Sequence, residues 1–477
     1  MTKDFFDDFY DEELHSLVRK FEGMMAEGSY AFFDVDEFED IIDYYLDNGK
    51  TKEAGKAIES ALQQYPGNPE ITLKQAQHFV GAGRANEALR LLEKIEKADP
   101  SNAEVFIIKA SVYSYLKKHD EAIDAYKTAY EYAEDKVDIL TNIAFEFESQ
   151  GNYDKAILYL KQALEMEPEN EAVIYELSFC YEFGNKTDES IEFFKSYIDK
   201  NPYSKAAWFN LGVAYNNIDL HEQAVDAYDY AIAIDDNFAS AYFNKANALA
   251  NLKKYTEAIE VYKETFGHEE PDAMTYYYIG ECYEKLEDAT HALEYFKKST
   301  DLDPNFADAW VGMGIAFDDQ EKSVSSLKCF QRALKIDNLN PETWFLYADT
   351  LYRTDRIEEA ARAYRKVSEL DAYNPDIWLD FSSLYAKQDD LRKAIKILNE
   401  GLEFQPENAA IYYRLSVYLL NSGKSREALK TFEEALSINY NKHTEIFEYQ
   451  PELEQNNKFL ELIRLYRPKD RKVSRKK

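Results

Sequence analysis

Residues 151–170 read GNYDKAILYLKQALEMEPEN. Residues 83–102, GRANEALRLLEKIEKADPSN, and residues 423–442, GKSREALKTFEEALSINYNK, repeat the phrase closely. Each has a glycine turn, an alanine five residues on, and an apolar stripe at helical spacing. Aligning that alanine gives Ala54, Ala88, Ala122, Ala156, Ala224, Ala258, Ala292, Ala360, Ala394 and Ala428, and every gap is 34 residues or a multiple of 34. The two missing steps fall on Ser190 and Ser326, which are also small. Fixed self-similarity at this length marks a repeat architecture, because a single unit cannot bury its own apolar face.

Other columns keep the same phase. Sixteen residues before the marker stands a large apolar residue, as in Phe38, Leu140, Ile174, Tyr242, Trp208, Trp310, Trp344 and Trp378, with Thr72 the exception. Four residues later comes a small one, such as Ala144, Ser178, Gly212, Gly280, Gly314 or Ala348; only Ile42 is large. Proline recurs twelve residues past the marker, at Pro66, Pro100, Pro168, Pro202, Pro304 and Pro406. Apolar steps of three and four, as in Trp208, Leu211, Gly212 and Tyr215, predict one helix, and Ala224, Val225, Tyr228 and Ala231 predict a second. A polar turn such as Gly151–Asn152 separates them, and the proline ends the second helix.

This pattern resembles the tetratricopeptide repeat family, whose period and W…LG…Y…A…F…P signature it shares. The resemblance spans twelve units: 35–68, 69–102, 103–136, 137–170, 171–204, 205–238, 239–272, 273–306, 307–340, 341–374, 375–408 and 409–442. It implies an all-α fold, a right-handed α-solenoid (superhelix) of stacked antiparallel helix pairs. Residues 1–34 read as an acidic segment and a capping helix, with Leu14, Leu17, Val18, Phe21, Met24 and Met25 at helical spacing over 12–27. Residues 443–466 read as the C-terminal cap through Ile446, Phe447, Leu460, Ile463 and Tyr466, and 467–477 as a basic, disordered tail.

Composition narrows the function. Of 477 residues 45% are apolar, Gly and Pro number 16 and 12, and the formal charge is −34. That sign repels nucleic acid and favours basic partners. No stretch reaches the roughly 20 apolar residues of a membrane span. The N-terminus, MTKDFFDDFYDEE, lacks a signal-peptide core, and the three distant cysteines Cys180, Cys282 and Cys329 imply no disulfide framework, so the chain reads as cytoplasmic. No phosphate loop or nucleophile elbow occurs, and the seven histidines are scattered without metal spacing. The expectation is a non-enzyme with no cofactor and no metal.

In the resembled family the first helix of each unit lines a concave groove, here through unit positions 2, 5, 6, 9, 12 and 13. Asp36, Glu39, Asp40, Asp43 and Asp47 crowd one end of it, and Asp308, Asp318, Asp319, Glu342, Asp349, Asp376 and Asp380 form a second acidic cluster. The middle is neutral, aromatic and rich in asparagine. Candidate peptide-binding residues are Asn142, Tyr175, Phe179, Phe209, Asn210, Phe243, Asn244, Asn247, Tyr277 and Tyr278. An amide offers both a donor and an acceptor to a peptide bond. Asn142, Asn210 and Asn244 share one register, similar to the asparagine ladder with which some members of the family hold an extended peptide. The family's carboxylate clamp fits poorly, since Phe243 and Tyr278 stand where basic residues would serve. Two functions are expected. One is a scaffold that binds an extended or helical segment of a partner protein, with basic flanks favoured by the acidic ends. The other is a regulatory or self-associating subunit of a larger enzyme assembly that docks through convex or terminal surfaces.

Overall fold

The computed structural model describes residues 3–468, with side chains from Leu14 onward. The residues described are helical with tight turns, and none is a strand. After a first helix, Lys3–Glu27, two-helix units follow without interruption from Val35–Asp47 and Thr51–Gln64 to Ala409–Asn421 and Ser425–Ile438. We call the first helix of a unit A and the second B. A helices span 12 or 13 residues and B helices 14, except Tyr255–Glu264, which has 10 and continues as a 3-10 turn, Thr265–Gly267.

Each boundary has a local cause. Many A helices start behind Asp34, Asn68, Asn102, Asn170, Ser204, Asp272, Asn340, Asn374 or Asn408, whose side chain accepts a backbone N–H of the first turn. Such a cap satisfies a donor the helix cannot. A helices end in a left-handed residue, and these residues recur every 34 positions: Gly49, Gly83, Lys117, Gly151, Asn185, Asp219, Lys253, Glu287, Glu321, Asp355, Asp389 and Gly423. At Asn185 the flanking bonds run from Lys186 N to Tyr181 O, 2.9 Å, and from Asn185 N to Glu182 O, 3.0 Å. This is a Schellman turn, which reverses the chain into the B helix.

The columns seen in the sequence are packing columns. All ten marker alanines are fully buried. Gly212 lies against the Tyr228 ring, and Gly280 and Gly312 lie on the Phe296 ring. The tryptophan column does a second job: each indole N–H donates to a carbonyl six residues earlier, Trp208 to Pro202 at 2.9 Å, Trp310 to Pro304 at 3.1 Å, Trp344 to Asn338 at 3.0 Å and Trp378 to Ala372 at 2.9 Å. The ring thus pins the turn that joins one unit to the next.

The chain divides into two compact units, Met1–Asn244 and Lys245–Lys477. In the first, the opening helix is longer than the predicted 12–27. It buries Val18, Phe21 and Met24 on the first helix pair, where Phe21 meets Phe33, Phe38 and Tyr45, while Met25 is exposed. In the second, the helices Glu445–Tyr449 and Asn457–Tyr466 close the last pair. Ile446 is buried as expected, and so are Leu453 and Phe459, which the sequence pattern did not single out. Most of the expected basic tail, 469–477, lies outside the described residues.

Candidate functional site

In Met1–Asn244 the A helices Val137–Ser149, Glu171–Phe183 and Lys205–Asn216 carry a row of aromatics. Phe145 and Phe183 are each 54% exposed and Phe179 is 37% exposed. Phe179 and Phe183, one turn apart, hold their rings 4.2 Å centre to centre. Tyr175 meets Phe209 edge-on at 6.1 Å, and Phe209 packs back on Tyr228 and Phe238. The row therefore passes from half-buried Tyr175 and Phe209 to rings that project into solvent. Asn142, one turn before Phe145, is exposed, and its side chain forms no hydrogen bond among the described residues.

The other asparagines are engaged. Asn210 is only 4% exposed and its Nδ2 donates to the Ala206 carbonyl at 2.8 Å. Asn244, half-buried in the same register, donates to Ser240 O at 2.9 Å. A short polar side chain on a helix readily returns its donor to the carbonyl one turn back. The ladder expected from the sequence therefore has one outward amide, Asn142, while the Asn210 amide is buried against its own helix. Phe243 is half-buried.

In Lys245–Lys477 the remaining candidates are engaged by neighbouring side chains. Asn247 accepts from the Tyr262 hydroxyl. The Tyr277 hydroxyl donates to Glu281 Oε1 at 2.8 Å while its ring packs on Phe296 and Phe306. Tyr278 stacks parallel to Tyr262 at 6.0 Å.

One grouping in the first unit was invisible as a sequence motif. Glu148, at the end of one A helix, faces Glu176 and Cys180 on the next, and ligand atoms of the three lie within 4.8 Å of one another. Burial first, and then the Glu176 carboxyl beside it, push the Glu148 carboxyl up to about 7. Burial and the same two carboxyls push the Cys180 thiol up to about 12. Two carboxyls and a thiol could ligate a cation, but the thiol is held in its protonated, unreactive form. The arrangement instead suits two acids that share a proton.

Charge is distributed unevenly in the second unit. Arg353 pairs with Asp349 at 3.0 Å and with Asp318, which also accepts from Thr350 at 3.0 Å. Asp380 has no such partner among the described residues. Burial raises its carboxyl above the usual range; Arg414 opposes that rise, and Asp376 and Asp349 add to it. In the first unit Lys74 bonds Asp43 at 2.7 Å, so the acidic crowd at that end is partly compensated. Among the described residues no helix is long and apolar enough to cross a membrane.

Family models described as "Tetratricopeptide repeat" match residues 45–112 and 148–212, 101–169, and 206–238. A model described as "Cilia and flagella-associated protein 70 C-terminal domain" matches residues 237–448. No curated protein matches the chain. Among solved structures, MamA is 20% identical, with a TM-score of 0.32, over 34% of this chain and 96% of its own. YrrB, described as a TPR protein with an unusual peptide-binding site, is 18% identical, with a TM-score of 0.30, over 48% and 97%. Yeast Tom70 is 15% identical, with a TM-score of 0.38, over 88% and 95%.

Proposed function

Because the chain belongs to the tetratricopeptide repeat proteins, we propose that it is a non-enzymatic interaction scaffold that takes an extended or helical segment of a partner protein across the A helices of residues 137–216. One observation carries this reading: Phe145, Phe179 and Phe183 stand exposed in one row beside the unengaged Asn142. A protein surface seldom leaves several large rings together in water unless something covers them. Aromatic anchors supply most of the affinity at such contacts, and an outward amide can pair with a partner backbone. The Glu148–Glu176 pair adds a place for a basic side chain. Asn210 has no part in the grip, since its amide serves its own helix.

The test is affinity capture from the native cell with the wild-type chain and with Phe179→Ala/Phe183→Ala. Partner recovery should fall by tenfold or more, as expected when anchors worth about 2 kcal/mol are lost, while circular dichroism stays unchanged. Equal recovery would reject the site. The match of residues 237–448 to the Cilia and flagella-associated protein 70 domain favours a second reading, in which the array is a regulatory or self-associating subunit of a ciliary or flagellar assembly, docked through convex or terminal surfaces. Tagged protein found throughout the cytoplasm, and not in those organelles, would exclude it.

A further inference from the structure

The position just before most A helices holds a capping asparagine, serine or aspartate; Lys136, Phe238 and Phe306 depart from that rule. Phe306 makes no side-chain cap bond. Its ring instead packs 5.0 Å from Tyr277, as Phe238 does from Phe209 in the first unit. At these two phenylalanines the side chain thus fills the space beside the aromatic residue at position 5 of its own unit. Opposite Phe345 the residue is Asn374, and its Oδ1 turns back to accept from Asp376 N at 3.1 Å. The space stays open: a cavity of about 410 Å³ with Phe345, Val367 and Ile377 in its lining and Glu342, Asp371 and Asp376 beside them.

No lysine or arginine lines this cavity, and none of its three carboxylates forms an ion pair among the described residues. Three cations nearby in the sequence are engaged elsewhere: Arg353 with Asp318 and Asp349, Arg365 with Glu400 at 2.5 Å, and Lys366 with Glu369 at 3.2 Å. Asp376 also adds negative potential at Asp380. The cavity therefore has an apolar lining and an uncompensated anionic border. A lysine or arginine matches both, since its methylene stem seeks apolar surface and its head seeks carboxylate. We propose that the cavity between the A helices Pro341–Arg353 and Pro375–Ala386 is a specificity subsite for a lysine or arginine side chain of a partner protein. The proposal rests on the reading of the chain as a peptide-binding scaffold.

The full chain carrying 4-fluorophenylalanine at position 345 tests it by ¹⁹F NMR. The probes are the N-acetyl N-methylamides of lysine, arginine and norleucine, titrated to roughly 20 mM, which brackets the weak binding expected of one side chain. Lysine and arginine should shift the resonance saturably, with norleucine at least five-fold weaker. Asn374→Phe, which refills the space as Phe306 does, should abolish the lysine shift. Glu342→Gln/Asp376→Asn, which leaves the cavity open, should weaken lysine at least five-fold and leave norleucine unchanged. Equal binding of norleucine, a lysine shift that survives Asn374→Phe, or no shift at all would overturn the assignment. The resonance reports on this cavity alone and needs no partner protein, so either result leaves the Phe179→Ala/Phe183→Ala test standing.

Discussion

Replacing Gly312 with alanine places a methyl where the Phe296 ring already lies. A Cβ built there would sit 2.5 Å from Phe296 Cζ, 2.6 Å from Cε1 and 2.8 Å from Cε2. The ring cannot retreat, because it is fully buried and Gly280 touches its other side, where a Cβ would come within 2.7 Å of Cδ1 and Cε1. Overpacking of this kind costs about 1–3 kcal/mol. Alanine gains about 1 kcal/mol over glycine in a helix, which offsets part of that cost. The net expectation for Gly312→Ala is a loss of about 0–2 kcal/mol. Phe296→Leu removes the obstructing ring edge, so Gly312→Ala added to that background should be neutral or stabilising by up to about 1 kcal/mol. Urea unfolding followed by circular dichroism, with all four chains of the double-mutant cycle, reads the coupling directly. The close-approach reasoning would be refuted if Gly312→Ala stabilised the wild-type chain, or if it cost as much in the Phe296→Leu background as with the phenylalanine in place.

Two further outcomes follow from local chemistry. Folding lifts the Glu148 carboxyl from its ordinary value of 4.5 to about 7, so the native state holds the extra proton between those values. The group's contribution to stability is therefore full below about 4.5 and is lost as pH rises through 7. Glu148→Gln should leave the thermal midpoint unchanged near pH 4.5 and raise stability at pH 8 by about 1–2 kcal/mol, the full shift being discounted because the carboxyl is partly solvated; a gain equal at both pH values would contradict the assignment. Lys253 holds a left-handed backbone, with φ at 60°, a region costing about 1–2 kcal/mol for a residue with a Cβ, whereas glycine loses about 0.5–1 kcal/mol in chain entropy. Lys253→Gly should stabilise by a few tenths to about 1 kcal/mol in urea melts, and destabilisation would mean that the lysine side chain supports the turn.

The repeat frame was legible because each column has one physical task. A marker alanine must let two helices touch, a glycine must admit a ring, and a tryptophan must reach back to a turn carbonyl. Those tasks restrict residue type strongly enough to show in one sequence. The proposed binding face was less legible. Composition alone does not reveal whether an asparagine offers its amide outward, as Asn142 does, or returns it to the carbonyl one turn back, as Asn210 does. Glu148 and Glu176 are 28 positions apart in the sequence, and they meet only because consecutive A helices lie side by side. The cavity beside Phe345 depends on what Asn374 does not fill, and that cannot be read until the packing partner of its column is known. The cap was legible only in part: Leu453 sits in a five-residue 3-10 turn, Pro451–Gln455, too short to show a period, and Phe459 precedes by one position the Leu460 that the spacing of its helix singled out.

The left-handed residue that ends each A helix also limits how the chain can change length. Loops commonly absorb extra residues at little thermodynamic cost. Here the reversal takes place on a single backbone conformer flanked by two specific hydrogen bonds, so there is no slack to lengthen. Within a helix, one added residue turns every later side chain by about 100°, sending an alanine meant for a neighbour into water. Growth or shortening of this array is thus quantised. Whole helix pairs can be duplicated or excised, because the incoming junction matches the outgoing one, whereas single-residue insertions meet a barrier at nearly every position.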